Sequence, residues 1–166
     1  MVHAICAGPG RAARYIGRMA SPVKIRDLRD DERAWADAQY RAIQFAVAPA
    51  PTVALVAEQD GGRVGLGRLV ALGPDVLELG GIWTDDAARG SGIARTMVTT
   101  LLIRAVQLGA PGPLWCIPFA HLGAFYRSFG FTDRAAPWPP AIAAKVAECI
   151  AHQLPEIVVL ARDPSE

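Results

Sequence analysis

The sequence predicts an α/β (α+β) domain with a central mixed, mostly antiparallel sheet of about six to seven strands and flanking helices. Three strand-like segments follow one another through short turns between residues 52 and 84, which is typical of an antiparallel meander. A long amphipathic helix then separates the third segment from another apolar segment at residues 114–117. This spacing predicts that the two flanking strands are parallel and joined by a right-handed crossover.

Length and composition favour a single globular domain. The chain has 166 residues, of which 52% are hydrophobic and 20% charged, so it can bury a substantial core. A net charge of +1 argues against a nucleic-acid partner, and no apolar run is long enough for a membrane span. Cys6, Cys116 and Cys149 form no Cys-x-x-Cys pair, so we expect no metal site, no disulfide framework and a reducing, cytoplasmic location.

The first residues differ from the remainder of the chain. Residues 1–21 contain arginines but no acidic residue, and they lack the long apolar segment of a secretory signal. We expect them to be a disordered or non-native extension, with a transit peptide as the alternative. Residues 22–166 are expected to form one domain.

The domain is expected to begin with a strand and a helix. Alternation predicts a strand at residues 23–26, and the acidic residues of 27–32 suit the first turn of a helix. The predicted helix has a break near residues 39–41 and ends before Pro49 and Pro51. Its predicted inner face consists of Trp35, Ala38, Ile43 and Phe45.

The meander comprises strands at residues 52–58, 63–72 and 76–84. Asp60-Gly61-Gly62 is a hairpin signal between the first two strands, and Gly73-Pro74-Asp75 turns the chain into the third.

The following helix has the clearest signal in the sequence. It begins near Ile93 and ends at Gly109, where a left-handed residue is usually glycine, and prolines follow. Its apolar residues recur at spacings of three and four: Ile93, Met97, Val98, Leu101, Leu102, Ala105 and Leu108.

The turn Arg89-Gly90-Ser91-Gly92 before this helix predicts a phosphate or pyrophosphate site. The first backbone N–H groups of a helix lack internal partners and carry the positive end of its dipole. A Rossmann fingerprint is disfavoured because Arg95 stands where a small residue is needed, and no Gly-Lys-Ser/Thr is present for a P-loop. A purely structural cap would account for the glycines but not for Arg89.

The C-terminal part is predicted to add a strand at 114–117, a short helix at 121–128 ended by Gly130, and strands at 131–133 and 156–162. A proline-rich stretch containing Trp138 and a helical patch lie between the last two strands.

Two motifs resemble those of the GNAT superfamily of acyl-CoA N-acyltransferases. Residues 89–94, Arg-Gly-Ser-Gly-Ile-Ala, resemble its acyl-CoA motif Arg/Gln-x-x-Gly-x-Gly/Ala, and residues 125–131 resemble its Phe-Tyr-x-x-x-Gly-Phe. The resemblance implies a GNAT fold in which the strands at 76–84 and 114–117 splay apart around the pantetheine arm. It also implies acetyl-CoA as the donor and direct transfer to a primary amine of a small molecule or peptide. A homodimer is possible by analogy.

The resemblance implies two catalytic residues. An alkyl amine must lose a proton before it attacks a thioester, and Glu78 is the candidate base on the strand leading to the turn. A structural carboxylate is the alternative for Glu78. Tyr126 matches the family tyrosine that acts as a general acid toward the CoA sulfur, with a packed core tyrosine as its alternative.

The resemblance also implies binding residues. The cofactor-binding candidates are Ile82, Trp83, Thr84, Arg89, Gly90, Ser91, Gly92, Ile93, Ala94 and Tyr126. The acceptor-side candidates are Trp35, Tyr40, Gln44, Phe45 and Trp138. A place in the core or at its rim is the alternative for each of the first four. The insertion at residues 135–155 is expected to cover the acceptor site or to build a dimer contact, and Trp138 is either a contact residue or a loop anchor.

The sequence departs from the family at one position. Many relatives carry an asparagine about seven residues before the tyrosine, where Phe119 stands here. A non-catalytic acyl-CoA-binding sensor or regulator therefore remains an alternative function, and a different nucleotide-binding α/β protein is a weaker one.

Overall fold

The computed structural model describes residues 21–43, 45, 47 and 50–164. The predicted extension at residues 1–20 and the acceptor-side candidate Gln44 therefore lie outside the described residues.

Seven strands and four α-helices form the described domain. The strands are β1 Lys24–Asp27, β2 Val53–Gln59, β3 Gly62–Gly73, β4 Val76–Thr84, β5 Leu114–Cys116, β6 Thr132–Asp133 and β7 Leu160–Arg162. The helices are α1 Arg33–Ala42, α2 Ile93–Gln107, α3 Gly123–Arg127 and α4 Pro140–Ala151. Short 3₁₀ turns precede α1 at Asp30–Glu32, α2 at Asp86–Ala88 and α3 at Ala120–Leu122.

The strands form one mixed sheet in the order β1-β2-β3-β4-β5-β7-β6. β4 and β5 are parallel, as the crossover through α2 requires, and the other described pairs are antiparallel. The predicted architecture and the predicted parallel pair are therefore confirmed. No helix of the described residues is both long and apolar enough to cross a membrane.

The two faces of the sheet bury different clusters of side chains. Leu77 and Leu79 of β4 belong to the main cluster, which also contains the inner residues of α2 and Tyr126 of α3. Because successive strand residues point to opposite faces, Glu78 lies on the other face, where its side chain contacts α4. On that face α4 packs against Trp115, whereas α1 packs against Val56 and Leu66.

The first helix differs from its predicted form. α1 is continuous from Arg33 to Ala42, so the predicted break near residues 39–41 is absent. Its buried residues are Ala36 and Tyr40, four residues apart, whereas Ala38 and Ile43 are exposed. The predicted inner face is therefore only partly right. Trp35 and Phe45 pack against the cluster that contains Tyr40, whereas the positions of Ala38 and Ile43 on the inner face are taken by Ala36 and Tyr40.

The last strand is shorter than predicted. β7 covers only Leu160–Arg162, and Ile157 makes an isolated bridge to Phe119. The reason lies in the pairing of the preceding residues: the N–H of Ala120 donates to Glu156 and that of Val158 donates to Pro118, so this segment bonds to a loop instead of a strand.

Candidate active site

A bulge in β4 lies at the centre of the site. Leu66 of β3 faces Trp83, and Arg68, two residues further on, faces Gly80, so β4 holds one extra residue between these pairs. Gly81 has a φ of +61°, and the Tyr40 hydroxyl donates to its carbonyl at 3.0 Å. A Cβ on Gly81 would lie 2.9 Å from Tyr40 Oη, so only glycine fits beneath the tyrosine.

β4 and β5 diverge immediately beside Glu78. Their ladder contains only the pairs Leu77 with Leu114 and Glu78 with Trp115, although β4 continues to Thr84. Beyond Glu78, the described residues supply no strand partner on the β5 side of β4. Backbone groups along that edge are therefore available to a bound molecule.

The loop after β4 is built by caps and two left-handed glycines. The Asp85 side chain accepts from the N–H of Ala87 at 2.9 Å and so caps the short 3₁₀ turn at Asp86–Ala88. Gly90 and Gly92 have φ values of +79° and +86°, and a Cβ at either would meet nothing within 4 Å. Arg89 is exposed, and its Nη2 lies 2.7 Å from Asp86 Oδ1.

Backbone N–H groups converge where this loop enters α2. Gly92 is the N-cap, and the N–H of Thr96 donates to its carbonyl at 3.0 Å, so the N–H groups of Ile93, Ala94 and Arg95 precede the first intrahelical bond. Within the described residues, the loop N–H groups at 90–92 donate to no backbone carbonyl either. These donors and the dipole of a 15-residue helix fit a pyrophosphate.

Tyr126 lies on α3, next to the first turn of α2. The Arg95 guanidinium lies 5.0 Å from the centre of the Phe129 ring, which connects the two elements. Tyr126 is 6% exposed and packs edge-on against Phe125 and Phe131. No described residue accepts a hydrogen bond from its hydroxyl, yet this oxygen is not among the buried atoms without a partner, so it reaches an accessible surface. Burial raises the pKa of this phenol well above its ordinary value, which keeps it protonated.

Glu78 lies at the point of divergence, on the face of β4 that α4 covers. It is 6% exposed, and the ammonium of Lys145 from α4 donates to its Oε2. Cys116, at the end of β5, belongs to the same buried cluster as Tyr126 and follows Trp115, the residue that pairs with Glu78. Burial first, and then the Glu78 carboxylate, raise the pKa of this thiol.

Tyr40 and Phe45 lie together on the face that carries Glu78. Their ring centroids are 5.3 Å apart, and the Arg68 guanidinium lies 4.7 Å from the Phe45 ring and 5.2 Å from the Tyr40 ring. Burial raises the pKa of Tyr40 above its ordinary range, so its hydroxyl stays a donor to Gly81.

The two predicted tryptophans have different surroundings. Trp35 meets Trp83 edge-on with centroids 5.9 Å apart, and the Arg63 guanidinium lies 4.2 Å above its ring. Trp138 donates its indole N–H to the carbonyl of Arg134 at 2.8 Å and packs against the cluster of Trp115 and Ile142. This geometry matches the loop anchor, one of the two alternatives for Trp138.

Two charged residues of this face were not among the predicted site residues. Lys145 is the single basic residue of α4, whose other residues are mostly apolar, and Arg68 interrupts an apolar, glycine-rich strand. Arg68 is only 2% exposed. A charge placed between apolar residues was the available signal, because such a charge needs a partner when it is buried.

Comparison with known proteins agrees with this geometry. A family model described as the acetyltransferase (GNAT) family matches residues 23–131, which is more than half of the chain. The chain belongs to the GNAT acetyltransferase family. No curated protein matches this GNAT chain in sequence.

Solved structures share the fold at low identity. N-acetylglutamate synthase from Neisseria gonorrhoeae, complexed with coenzyme A and N-acetyl-glutamate, superposes with a TM-score of 0.66 at 15% identity over 86% of this chain. This chain spans only 35% of that synthase. Rv2747 from Mycobacterium tuberculosis, in complex with CoA and NLQ, gives 0.65 at 18% identity, covering 84% of this chain and 98% of its own.

A third structure is that of an enzyme acting on a protein. The ribosomal-protein-S18-alanine N-acetyltransferase from Escherichia coli gives a TM-score of 0.59 at 18% identity, covering 86% of this chain and 94% of its own. The similarity of all three structures concerns the fold.

Proposed function

We propose that this GNAT protein is an N-acetyltransferase that moves an acetyl group from acetyl-CoA to a primary amine of a small molecule or peptide. The observation that carries the proposal is the divergence of β4 from β5 beside Glu78, with a loop of unpaired N–H groups at the end of β4. Glu78 lies where the divergence begins, and Tyr126 packs in the cluster that contains Cys116, the last residue of β5.

The residues present fit an acyl-CoA donor. The N–H groups of residues 90–95 and the Arg89 side chain would hold the pyrophosphate. The free edge of β4 at Ile82, Trp83 and Thr84 would hold the pantetheine arm and the thioester oxygen. When bound, acetyl-CoA supplies the activated acetyl group.

Glu78 would take the proton from the acceptor amine. An alkyl ammonium with a pKa near 10.4 is almost fully protonated at pH 7, and its deprotonation costs about 4–5 kcal/mol. A carboxylate at the divergence can accept this proton, directly or through a water molecule.

Tyr126 would hold a proton at its Oη for the departing sulfur. Its raised pKa keeps the hydroxyl protonated across the neutral range, so it is able to donate. The pKa of a free phenol exceeds that of a thiol by about 1.5 units, so complete transfer from such a phenol is uphill by about 2 kcal/mol. A hydrogen bond from the Tyr126 hydroxyl to the sulfur, formed as the carbon–sulfur bond breaks, would stabilise the departing thiolate without complete proton transfer.

The proposed class of acceptor, a primary amine, rests on the names of the similar structures and on the geometry of the site. The names of the similar structures include an N-acetylglutamate synthase and an enzyme for a ribosomal protein alanine, so one fold serves both small and peptide amines. We propose a cytoplasmic location, which suits the free thiols of Cys116 and Cys149. A homodimer is proposed only by analogy and is tested by light scattering.

The proposal is tested with a panel of primary amines and detection of released thiol. We expect turnover by the unchanged protein and losses of about 10²–10⁴-fold in kcat for Glu78→Gln and for Tyr126→Phe. The control variant is Glu148→Gln, an exposed glutamate of α4, which should retain full activity. Binding of acetyl-CoA without turnover of any amine would instead establish the sensor or regulator alternative.

A further inference from the structure

We propose that Lys145 is a positioning residue for Glu78. Its ammonium pairs with the buried negative charge of the carboxylate and occupies Oε2, which reserves Oε1 for the acceptor amine. This inference rests on the proposed function and adds a residue from a helix that lies beyond the matched family region at residues 23–131.

The first argument is the burial of the ion pair. The side chain of Glu78 is 7% exposed and that of Lys145 is 23% exposed. A carboxylate removed from water to this degree favours its neutral form unless a cation compensates for the lost hydration. The ammonium of Lys145 is the cation that donates a hydrogen bond to it.

The second argument concerns the other carboxylate oxygen. Within the described residues, no group donates a hydrogen bond to Oε1 of Glu78. A Cβ placed on Gly80 would lie 3.9 Å from Oε1 and 3.6 Å from Cζ of Phe45. The missing side chain at Gly80 therefore leaves space between Oε1 and the Phe45 ring, where an amine can approach.

The third argument concerns the packing of α4, which places Lys145 beside Glu78. Ile142 and Val146, which flank Lys145 on α4, are buried against Trp115. Trp115 is also the residue of β5 that pairs with Glu78 in the sheet. The same packing contact thus fixes α4 and places Lys145 beside the carboxylate.

Several titratable groups surround this pair. Arg68 from β3, Cys116 from β5 and Cys149 from α4 all lie within electrostatic range of Glu78, and Tyr40 from α1 faces Arg68. Arg68 still provides a positive charge when Lys145 is replaced. Loss of Lys145 is therefore expected to shift the pH profile of kcat/KM only partly. Burial raises the pKa of both thiols, so they titrate on the alkaline side of this profile.

The test compares the pH dependence of kcat/KM for Lys145→Met, Lys145→Arg and the unchanged protein. Without the ammonium, the carboxylate loses its counter-ion, so the acidic limb for Lys145→Met should move to higher pH. We expect kcat/KM at pH 7 to fall about tenfold through kcat, and Lys145→Arg to recover most of the loss. Lys24→Met, at the chain's other lysine, on β1, is the matched control and should leave the profile unchanged.

A second readout does not depend on activity. The side-chain carboxyl of Glu78 is followed by ¹³C NMR in glutamate-labelled protein and assigned with Glu78→Gln. Its titration should move to higher pH in Lys145→Met and should stay near that of the unchanged protein in Lys145→Arg. Circular dichroism and thermal unfolding verify that both variants are folded, and Lys145→Gln, which also removes the charge but keeps a polar side chain, decides the matter if Lys145→Met does not fold.

The outcomes separate the two proposals. An unchanged carboxyl titration in Lys145→Met overturns the role of Lys145, and so does a titration shift that leaves kcat/KM unaltered in an active enzyme. A loss of activity without any change in pH dependence assigns Lys145 to packing and also overturns it. If the unchanged protein transfers acetyl to no amine, the proposed function fails, while the NMR titration still decides whether Lys145 holds the charge of Glu78.

Discussion

Two adjacent glycines of β4 differ in whether a side chain fits at their position: Gly81 leaves no space for one, whereas Gly80 does. Gly81 has a φ of +61° and lies under Tyr40, whereas a Cβ on Gly80 would make only ordinary contacts, with Phe45 and Glu78. We therefore expect Gly81→Ala to lower the free energy of unfolding by about 1–3 kcal/mol. Gly80→Ala should leave it unchanged or raise it by about 0.5–1 kcal/mol, and urea denaturation measures both.

The same pair of variants separates stability from function. The added methyl group of Gly80→Ala occupies the space in front of Oε1 of Glu78, so the variant should raise KM for the acceptor amine while its affinity for acetyl-CoA is retained. Equal stability of the two variants would contradict the bulge at Gly81. An unchanged KM in Gly80→Ala would show that amines do not approach through this space.

The sequence alone predicted which chemical groups would form the site, but not which residues contact them. Glu78 and Arg89 were predicted because amine deprotonation and pyrophosphate binding need a base and a cation near a strand–turn–helix unit, and Tyr126 was predicted from the resemblance to the family motif. The side of β4 that Glu78 occupies was undecidable from an alternating pattern, and the bulge at Gly81 changes that alternation further along the strand. Lys145 was missed because it is 67 residues away from Glu78 in the chain.

At the scale of elements, Glu32 connects the start of α1 to the sheet. Both of its oxygens accept from the Arg26 guanidinium, at 2.7 and 2.8 Å, and its side chain is 4% exposed. The Arg26 hydrogen bonds lower the pKa of Glu32 from 4.5 to about 2, against the opposing effect of burial. Because the folded-state pKa is depressed, its contribution to stability is complete above pH 4.5 and is lost as the pH falls toward 2.

We therefore expect acid denaturation to depend on Glu32. Glu32→Gln should lower the free energy of unfolding at pH 7 by about 1–3 kcal/mol, because it removes one of the two carboxylates that pair with the Arg26 guanidinium. It should also flatten the dependence of stability on pH between 4.5 and 2. Asp31→Asn, at the exposed neighbouring carboxylate, is the control, and an equally steep pH dependence in both variants would contradict this role.

The close packing of α2 on the sheet also determines the position of the loop that is proposed to bind the pyrophosphate. A Cβ on Gly65 of β3 would lie 2.8 Å from Cγ2 of Ile93, the first residue of α2, and 3.3 Å from the carbonyl oxygen of Trp83. Gly65→Ala should therefore move the start of α2, with a loss of about 1–3 kcal/mol in stability. It should also weaken binding of acetyl-CoA about tenfold or more.

Gly73→Ala provides the matched control on the same strand, since a Cβ there meets nothing within 4 Å. Calorimetric titration with acetyl-CoA compares the affinities of the two variants, and urea denaturation compares their stabilities. Full affinity for acetyl-CoA in Gly65→Ala would show that the position of α2 does not control this site.

The elements were largely predictable where local periodicity and turn residues agree. Strand β4 and helix α2 begin where predicted, because the apolar pattern and the glycine signals coincide there. Part of the inner face of α1 and the length of β7 were mistaken, since both depend on contacts from distant parts of the chain. For α1 the decisive contact is the Tyr40 hydroxyl with Gly81, and for β7 it is the pairing of residues 156–158 with the loop at 118–120.

At the scale of the whole molecule, the sheet is completed by the last strand. β7 lies between β5 and β6, so the final strand in sequence is internal to the sheet. A chain that ends after residue 133 would expose the edge of β5 and the cluster around Trp115. We expect it to lack the cooperative unfolding transition of the complete protein, as measured by circular dichroism, and a cooperative transition would contradict this dependence.

The central claim is that residues 89–95 hold the pyrophosphate of acetyl-CoA, and isothermal titration calorimetry with acetyl-CoA tests it most directly. We expect the unchanged protein to bind and Arg89→Glu to bind at least about tenfold more weakly, since a charge-assisted hydrogen bond contributes about 1.5–3 kcal/mol. The control is Arg41→Glu, an exposed arginine of α1. Equal affinity of Arg89→Glu and the unchanged protein, or no binding by either, would contradict the account.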